Sequence, residues 1–126
     1  MMRTLAQRRV AIALRWKDKG FGGKKEGNVV SGFPMLIRTD GLLPALAYAV
    51  ERKENKQTRQ PEPKNPGEFQ IAAALVEHLS GEEILKHSES PDEMVKELAI
   101  AADASQLRRA TSEALAFLNY LKRFVA

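Results

Sequence analysis

The C-terminal stretch over residues 107–126 is the sequence feature that most constrains the fold. Phe117 and Phe124 belong to its apolar positions, and no Gly or Pro interrupts the run. At about 1.5 Å per residue, a helix here would be about 28 Å long, close to the width of a small domain. We therefore predict a long C-terminal helix that lies across a hydrophobic core. The other apolar residues recur every three or four positions, as one helix face requires, and are Leu107, Ala110, Ala114, Leu118, Leu121 and Val125.

The remainder of the chain favours helices as well. It has 126 residues, enough for one compact domain and too few for two independent ones. Helix-forming residues abound, and β-branched and aromatic residues are sparse, so no strand is predicted. The sequence therefore predicts an all-α fold, a single domain over 1–126 with a compact bundle of about six to seven helices. Besides the C-terminal helix, the predicted helices cover residues 5–19, 31–39, 42–52, 69–79, 80–87 and a segment from 90 onward.

Capping signals set the expected ends of these helices. Pro34 belongs in the first turn, so its helix should start near residues 31–32, and Gly41 should end it. Ser80 and Ser90 each precede a glutamate by three residues, which is the capping-box pattern, so each should start a short helix. Asp103 is expected to cap the final helix in a similar way.

Residues 53–67 interrupt the helical pattern. The stretch is polar throughout and includes three prolines. It predicts an exposed connector between two helical halves, long enough for part of it to be disordered.

Charge is distributed unevenly along the chain. The net formal charge is +4, but residues 1–60 hold 13 Lys and Arg against 5 Asp and Glu, whereas residues 61–126 hold 7 against 11. The first half thus carries a net +8 and the second a net −4. This asymmetry indicates a basic side that contacts a polyanion such as a nucleic acid. The alternative is that charge merely solubilises each half.

The first predicted helix, with Thr4 as its N-cap, carries a stripe of cations. Arg8, Arg15 and Lys19 lie within about 40° of one another around the helix, with no acid on the same stripe. Such cations repel one another mildly, and a phosphate backbone would offset that repulsion. Arg9 projects toward the apolar face instead, so it must either extend to water or meet a carboxylate.

A glycine-rich loop over residues 20–27 follows this helix and presents Lys24 and Lys25. The glycine spacing does not fit a Walker A motif, and no Ser or Thr follows the lysines. The loop is interpreted as a flexible basic segment that orders on RNA or on a partner, or as a plain connection.

No constellation of catalytic or metal-binding residues is found in the sequence. There is no cysteine, and the two histidines, His78 and His87, fall on different predicted segments. The pair Glu82–Glu83 is expected in the first turn of a helix, where acids complement the helix dipole. We therefore expect no enzymatic activity, metal, cofactor or small-molecule substrate. Without a membrane span or signal peptide, a cytoplasmic protein with no membrane partner is expected.

The face of the C-terminal helix opposite the core is a candidate partner-binding surface. It carries Arg109, Ala116 and Arg123, in which cations flank a small residue. A solvated face is the alternative, with Arg109 and Glu113 forming a simple helix pair four residues apart.

Two segments carry a family resemblance. The first reads Phe-Pro-Met-Leu-Ile-Arg-Thr-Asp-Gly-Leu over 33–42 and continues as Ala-Leu-Ala-Tyr over 45–48. The second, over 109–124, contains Thr-x-Glu-Ala and ends in Leu-Lys-Arg-Phe. Together they resemble the small helical subunit of the type III-B CRISPR effector, the Cmr complex. The departures are Asp40, Phe33 and Tyr120, which stand where Asn, Leu and Trp are common.

This resemblance implies an all-α subunit with no catalytic role of its own. Copies of such a subunit stack along the minor filament of a ribonucleoprotein, beside the backbone that bears the crRNA and the Cas10-type large subunit. The polyanion would then be target RNA paired to the crRNA, held through its phosphates without reading sequence. The candidate RNA contacts are Arg8, Arg15, Lys19, Lys24, Lys25 and Arg38.

Two other functions stay open from the sequence. One is a small DNA-binding regulator in which Gly41 forms the corner of a helix-turn-helix. The apolar character of residues 42–48 disfavours a recognition helix there. The other is a pure protein–protein adaptor.

Overall fold

The computed structural model describes residues 3–19, 21 and 26–125, except for the side chains of 26–28. Within these ranges the chain forms six α-helices, a π-helical turn and a two-stranded hairpin, which confirms the predicted all-α bundle with a long C-terminal helix. None of these helices has both the length and the apolarity that a membrane crossing requires. The elements are α1 (Leu5–Trp16), α2 (Glu26–Asp40), α3 (Leu42–Ala49), β1 (Arg52–Glu54), β2 (Pro61–Pro63), α4 (Pro66–Gly81), α5 (Pro91–Lys96), the π-helical turn (Glu97–Ala101) and α6 (Ala104–Phe124).

Helices α4 and α6 form the centre of the core. α1 packs against both of them, and α2 packs against both as well as against α3. Ile71 and Leu75 of α4 and Phe117 of α6 are completely buried. Burying one such side chain stabilises the fold by about 1.5–3 kcal/mol. The two central helices therefore connect α1 to the α2–α3 pair.

The amphipathic face of α6 is the one predicted. Asp103 is the N-cap, and its carboxylate accepts a hydrogen bond from the backbone N–H of Gln106 at 2.7 Å. Phe124 is 37% exposed in the last turn, so the apolar face narrows there. The buried apolar residues of α6 are Ala110, Ala114, Phe117, Leu118 and Leu121.

Pro34 lies inside α2 and not in its first turn, so the predicted start of that helix is wrong. α2 begins at Glu26, and a proline this deep removes a helical hydrogen bond and crowds the preceding turn, at a cost of about 3 kcal/mol. Val30 and Phe33 are almost wholly buried, so tertiary packing of the turns beside Pro34 offsets that local cost. Gly41 follows the last residue of α2, as predicted, with a φ of 98°.

The connector contains two short strands, which the sequence prediction missed. β1 pairs antiparallel with β2, with Arg52 opposite Pro63. Arg52 also reaches out of the hairpin, with its guanidinium 4.5 Å from the ring centre of Phe69 and its Nη2 donating to Asp92 at 2.6 Å. The hairpin is mostly exposed, as predicted, but these contacts anchor it to α4 and α5.

Glu97 connects the segment after α4 to α6. Its carboxylate accepts hydrogen bonds from the backbone N–H groups of Lys86 and His87 at 2.8 and 2.9 Å. Ser88 Oγ and Gln106 Nε2 each donate to it at 2.8 Å. Burial alone would raise the pKa of Glu97, but these hydrogen bonds outweigh burial and lower it. One carboxylate therefore organises a segment that has no regular structure of its own.

The helix predicted over residues 80–87 does not form. α4 continues to Gly81, and Ser80 donates its hydroxyl to the carbonyl of Ser88 instead of capping a new helix. The hydrogen bonds to Glu97 hold the following residues in an irregular path. Ser90 does cap α5 as predicted.

Gly67, in the first turn of α4, allows a close approach of the Phe21 backbone. A Cβ at Gly67 would lie 2.6 Å from the Phe21 carbonyl oxygen, which cannot move aside as a flexible side chain could. Gly67→Ala should therefore lower the free energy of unfolding by about 2 kcal/mol in urea denaturation. Gly32→Ala, in α2, is the matched control, because no atom lies within 4 Å of its added Cβ. It should stabilise the chain by about 1 kcal/mol, and equal effects of both changes would contradict this packing.

Glu97→Gln tests the carboxylate that holds the segment after α4. Each carboxylate oxygen accepts two hydrogen bonds, so an amide nitrogen in either place would face two donors. The change should cost about 2–3 kcal/mol in thermal unfolding. Glu89→Gln, at an exposed neighbour, should cost almost nothing, and similar losses for both variants would argue against this role.

Candidate nucleic-acid interface

Arg8 of the predicted cation stripe is bound to a carboxylate that follows α4. Its Nε donates to Glu82 Oε2 at 2.6 Å, and its Nη2 donates to Glu82 Oε1 at 2.9 Å. The Glu82 side chain is only 12% exposed. A bidentate Arg–carboxylate pair is among the stronger polar contacts in proteins. Arg8 thus connects α1 to the segment that follows α4. Glu82 was predicted in the first turn of a helix, but it directly follows the last residue of α4.

Arg15 faces α4 from the last turn of α1. Its Nη1 lies 3.1 Å from Glu77 Oε2, and the indole N–H of Trp16 donates to the same oxygen at 3.3 Å. The Arg15 side chain remains 66% exposed. Arg15 can therefore still offer N–H donors to a ligand beyond Glu77.

Among the described members of the predicted set, Lys19 and Arg38 are the cations without an acidic partner. Lys19 lies beyond the end of α1, which stops at Trp16 and not at the predicted residue 19. Its Nζ is 6.0 Å from the centre of the Trp16 ring, and it is exposed. Arg38 is exposed in the last turn of α2. Across the described ranges neither has a carboxylate within ion-pair distance. Lys24 and Lys25, also predicted, lie outside the described residues.

Arg9 is held by a buried polar cluster at the junction of α1, α4 and α6. Its Nε and Nη2 donate to the two oxygens of Glu113 at 2.6 and 2.8 Å. His78 Nε2 donates to Glu113 Oε2 at 2.8 Å, since an ionised carboxylate can only accept. The His78 ring, 1% exposed, stacks on Phe117 with centroids 4.8 Å apart. We call these residues, Arg9, His78 and Glu113, the Glu113 cluster.

The electrostatics of the Glu113 cluster favour the ionised carboxylate. Burial would raise the pKa of Glu113, but the hydrogen bonds from Arg9 and His78 and the charge of Arg9 outweigh burial and lower the pKa. Arg9 thus meets a carboxylate, which was one of the two alternatives predicted for it. The predicted helix pair of Arg109 with Glu113 is wrong, because Glu113 points into the core and not along the helix surface.

The sequence did not predict the Glu113 cluster as a unit. Its members are up to 104 positions apart, and no local spacing connects them. The available signal is that each is a polar residue on the apolar face of its own helix, which requires a buried partner. Of the three residues, only Arg9 was expected from its position to meet a carboxylate or extend to water.

The outer face of α6 carries cations without acids. Arg109 and Arg123 are exposed, and Ala116 between them is half-buried. Arg108 adds to this face, and Glu113, the one acid of α6, is turned inward. The predicted partner-binding residues therefore share a basic surface of α6.

A metal site and a DNA recognition helix at residues 42–48 are two further functions to compare with the described part of the chain. No group of three or more His, Asp or Glu residues there could hold a metal ion. α3 buries Leu42, Ala45, Leu46 and Ala49 and carries no charge, so it does not suit a DNA recognition helix. The described candidates for this site are therefore exposed cations that lie on several different elements.

Glu113→Gln should lower the free energy of unfolding by about 2 kcal/mol near neutral pH, because it leaves Arg9 partly buried without its counter-charge. The folded-state pKa of Glu113 lies below its unfolded value, so its contribution is complete above that value and is lost as the pH falls below about 4.5. The wild type should thus lose more stability on acidification than Glu113→Gln in urea titrations. Glu83→Gln, an exposed control, should keep the wild-type pH profile. Parallel profiles for wild type and Glu113→Gln would contradict the assignment.

Comparison with known proteins identifies the family. The family described as CRISPR-associated protein (Cas_Cmr5) matches residues 5–126. A crystal structure of a CRISPR-associated Cmr5 family protein from Thermus thermophilus is similar over 98% of this chain and 95% of that chain, with a TM-score of 0.67. The two sequences are 23% identical, so this likeness shows a shared fold. Comparison with curated proteins gives no significant match. Because the family match covers nearly the whole chain, the resemblance of segments 33–48 and 109–124 is confirmed, and the protein belongs to the Cmr5 family of small CRISPR Cmr subunits.

Proposed function

We propose that this chain is a non-catalytic small subunit of a CRISPR type III-B (Cmr) ribonucleoprotein, acting in antiviral defence in the cytoplasm. Copies of it stack in the minor filament, next to the backbone that bears the crRNA and to the Cas10-type large subunit. The stack holds target RNA paired to the crRNA through phosphate contacts that do not read sequence. Family membership supports the place in a Cmr complex, and the surface cations support the RNA contact.

The RNA contact rests mainly on one observation, the exposure of Lys19 and Arg38 without acidic partners in the described part of the chain. A free ammonium or guanidinium can release counter-ions from a phosphate backbone at no internal cost. Arg15 contributes with the part of its guanidinium that Glu77 does not engage. Arg8 is engaged by both oxygens of Glu82, so its part in RNA contact would be secondary. Lys24 and Lys25 stay predicted contacts.

The contact is proposed to ignore base identity because, of the aromatic side chains that the structure describes, only Tyr48 and Phe124 are exposed. Trp16 is half-buried and donates its indole N–H to Glu77. Tyr120 is half-buried against the core. Sequence-specific single-strand recognition needs aromatic or planar groups that are free to stack on splayed bases. Phosphate contacts position the strand without such groups.

The outer face of α6 is proposed to meet another Cmr subunit. Arg109 and Arg123 lie 14 residues apart along α6, which places them about 21 Å from each other and within about 40° around the helix. The half-buried Ala116 between them permits close approach of a partner backbone. A complementary partner surface would carry two separated acidic groups.

Reversal of both free cations tests the RNA contact. The variant Lys19→Glu with Arg38→Glu should weaken target-RNA retention by the assembled complex, because each side chain would then repel the phosphate that it binds. Affinity falls with salt, so the plot of log affinity against log salt concentration has a negative slope. That slope should become shallower by about 0.7–0.9 for each phosphate that is no longer neutralised. Retention is measured by filter binding over a salt titration with at least two unrelated target sequences.

Lys56→Glu is the matched control, since Lys56 is an exposed cation of the hairpin, far in sequence from both tested residues. It should retain RNA with the wild-type salt slope. If the double variant behaves like Lys56→Glu while the complex still assembles, the chain acts as an adaptor and the RNA contact is wrong.

A further inference from the structure

An apolar groove runs between α2, α3 and the first turn of α4. Its volume is about 460 Å³, and Val29, Phe33, Leu36 and Pro44 are among the residues that line it. Tyr48, which is 41% exposed, also lines the groove. A groove of this kind fits an amphipathic helix that inserts apolar side chains at three- and four-residue spacing.

The described residues that bring charge to this groove are both acidic. Asp40 at the end of α2 and Glu68 in the first turn of α4 are part of its lining, and no cation among the described residues is. Neither carboxylate has an ion-pair partner among the residues that the structure describes. The groove therefore favours an occupant that combines an apolar face with positive charge.

Gly32 leaves space in the lining of the groove. No atom lies within 4 Å of the position that a Cβ would take, although a glycine inside a helix costs about 1 kcal/mol relative to alanine. The open space lets the backbone of an incoming helix approach α2 closely. It also means that a larger side chain at Gly32 would enter the groove without disturbing the fold.

The outward face of α1 has the complementary properties. Leu14 is 44% exposed, although it is a large apolar residue, and Val10 and Ala6 lie at helical spacing before it. Arg3 begins this face, and no acid of the described part of the chain lines the shallow depression along it. Arg8 and Arg15, which pair with Glu82 and Glu77, lie on a different side of the helix.

We infer that the outward face of α1 in one copy of this chain lies in the α2–α3 groove of the next copy. Val10 and Leu14 fill the apolar groove, and Arg3 pairs with Asp40 or Glu68. This inference rests on the stacking part of the proposed function and gives that stacking its surfaces. The two surfaces are different, so the contact is head-to-tail and does not close on itself as a two-fold dimer would.

The arrangement of the fold supports an open stack. α1 packs mainly on α4 and α6, and the α2–α3 pair packs on the same two helices. Each copy can therefore present its α1 face to one neighbour and its groove to another. A stack built in this way has a free groove at one end and a free α1 face at the other.

Cysteine cross-linking tests the contact directly, because the natural chain has no cysteine. The double variant Leu14→Cys with Gly32→Cys, treated with a short bismaleimide, should give a ladder of covalent dimers, trimers and longer species. Each single variant should give no species beyond a dimer. Leu14→Cys with Ile100→Cys is the matched control, because Ile100 is 80% exposed but belongs to neither surface.

The cross-linking is performed on the free chain and on the assembled complex. A ladder from the 14/32 pair that exceeds the 14/100 control supports the contact. Absence of that ladder in both preparations overturns it. Protection of Gly32→Cys by another Cmr subunit, without any 14/32 cross-link, also overturns it and assigns the groove to that subunit.

Charge exchange provides a second measurement. Arg3→Glu should abolish the 14/32 ladder, and Asp40→Arg together with Glu68→Arg should restore it in the same chain. Failure of the restoration overturns the assigned ion pair.

The outcome for this contact can be separated from the outcome for the proposed function. If the ladder is lost while the chain still enters the complex and the complex still retains RNA, only this contact is wrong. A chain that forms the ladder but never joins Cmr subunits contradicts the proposed function instead.

Discussion

The carboxylate of Glu113 is the contact on which the arrangement of the helices depends. It lies on the inward face of α6 and receives hydrogen bonds from Arg9 of α1 and His78 of α4. An ion pair that is mostly removed from water stabilises only when its geometry is satisfied, so this carboxylate specifies which helices meet and at which turn. Apolar packing around Phe117 would tolerate small shifts of α1, whereas the hydrogen bonds of Glu113 do not.

The uneven charge of the sequence has an explanation inside the molecule as well as outside it. Glu77 and Glu82, from the acidic second half, bind Arg15 and Arg8, from the basic first half. Part of the asymmetry is thus used to join α1 to α4, and net charge by half overstates the charge that a ligand would meet. The cations that a polyanion could still bind are the exposed ones without a carboxylate partner, such as Lys19.

Local signals predicted the fold where local chemistry determines it. The apolar period of α6 and the caps at Asp103 and Ser90 depend on neighbours within a few residues, and the structure has all three. The helix around Pro34 and the segment after Ser80 depend on tertiary partners, so their prediction from local cost was wrong. The candidate site shows the same division. Its cations were identifiable by residue type, but the acidic partners of Arg8 and Arg15 lie far away in the sequence, in or just after α4.

The hydrogen bonds of Glu113 also set the rotation of α1 about its own axis. Rolling the helix by one residue, about 100°, would carry Arg9 out of reach of the carboxylate and bring a different set of side chains to the surface. In a head-to-tail assembly of identical subunits, any angular error at one junction repeats at every later junction. The pitch of such an assembly would then be determined in the interior of each subunit, at a polar contact that is mostly removed from its surface.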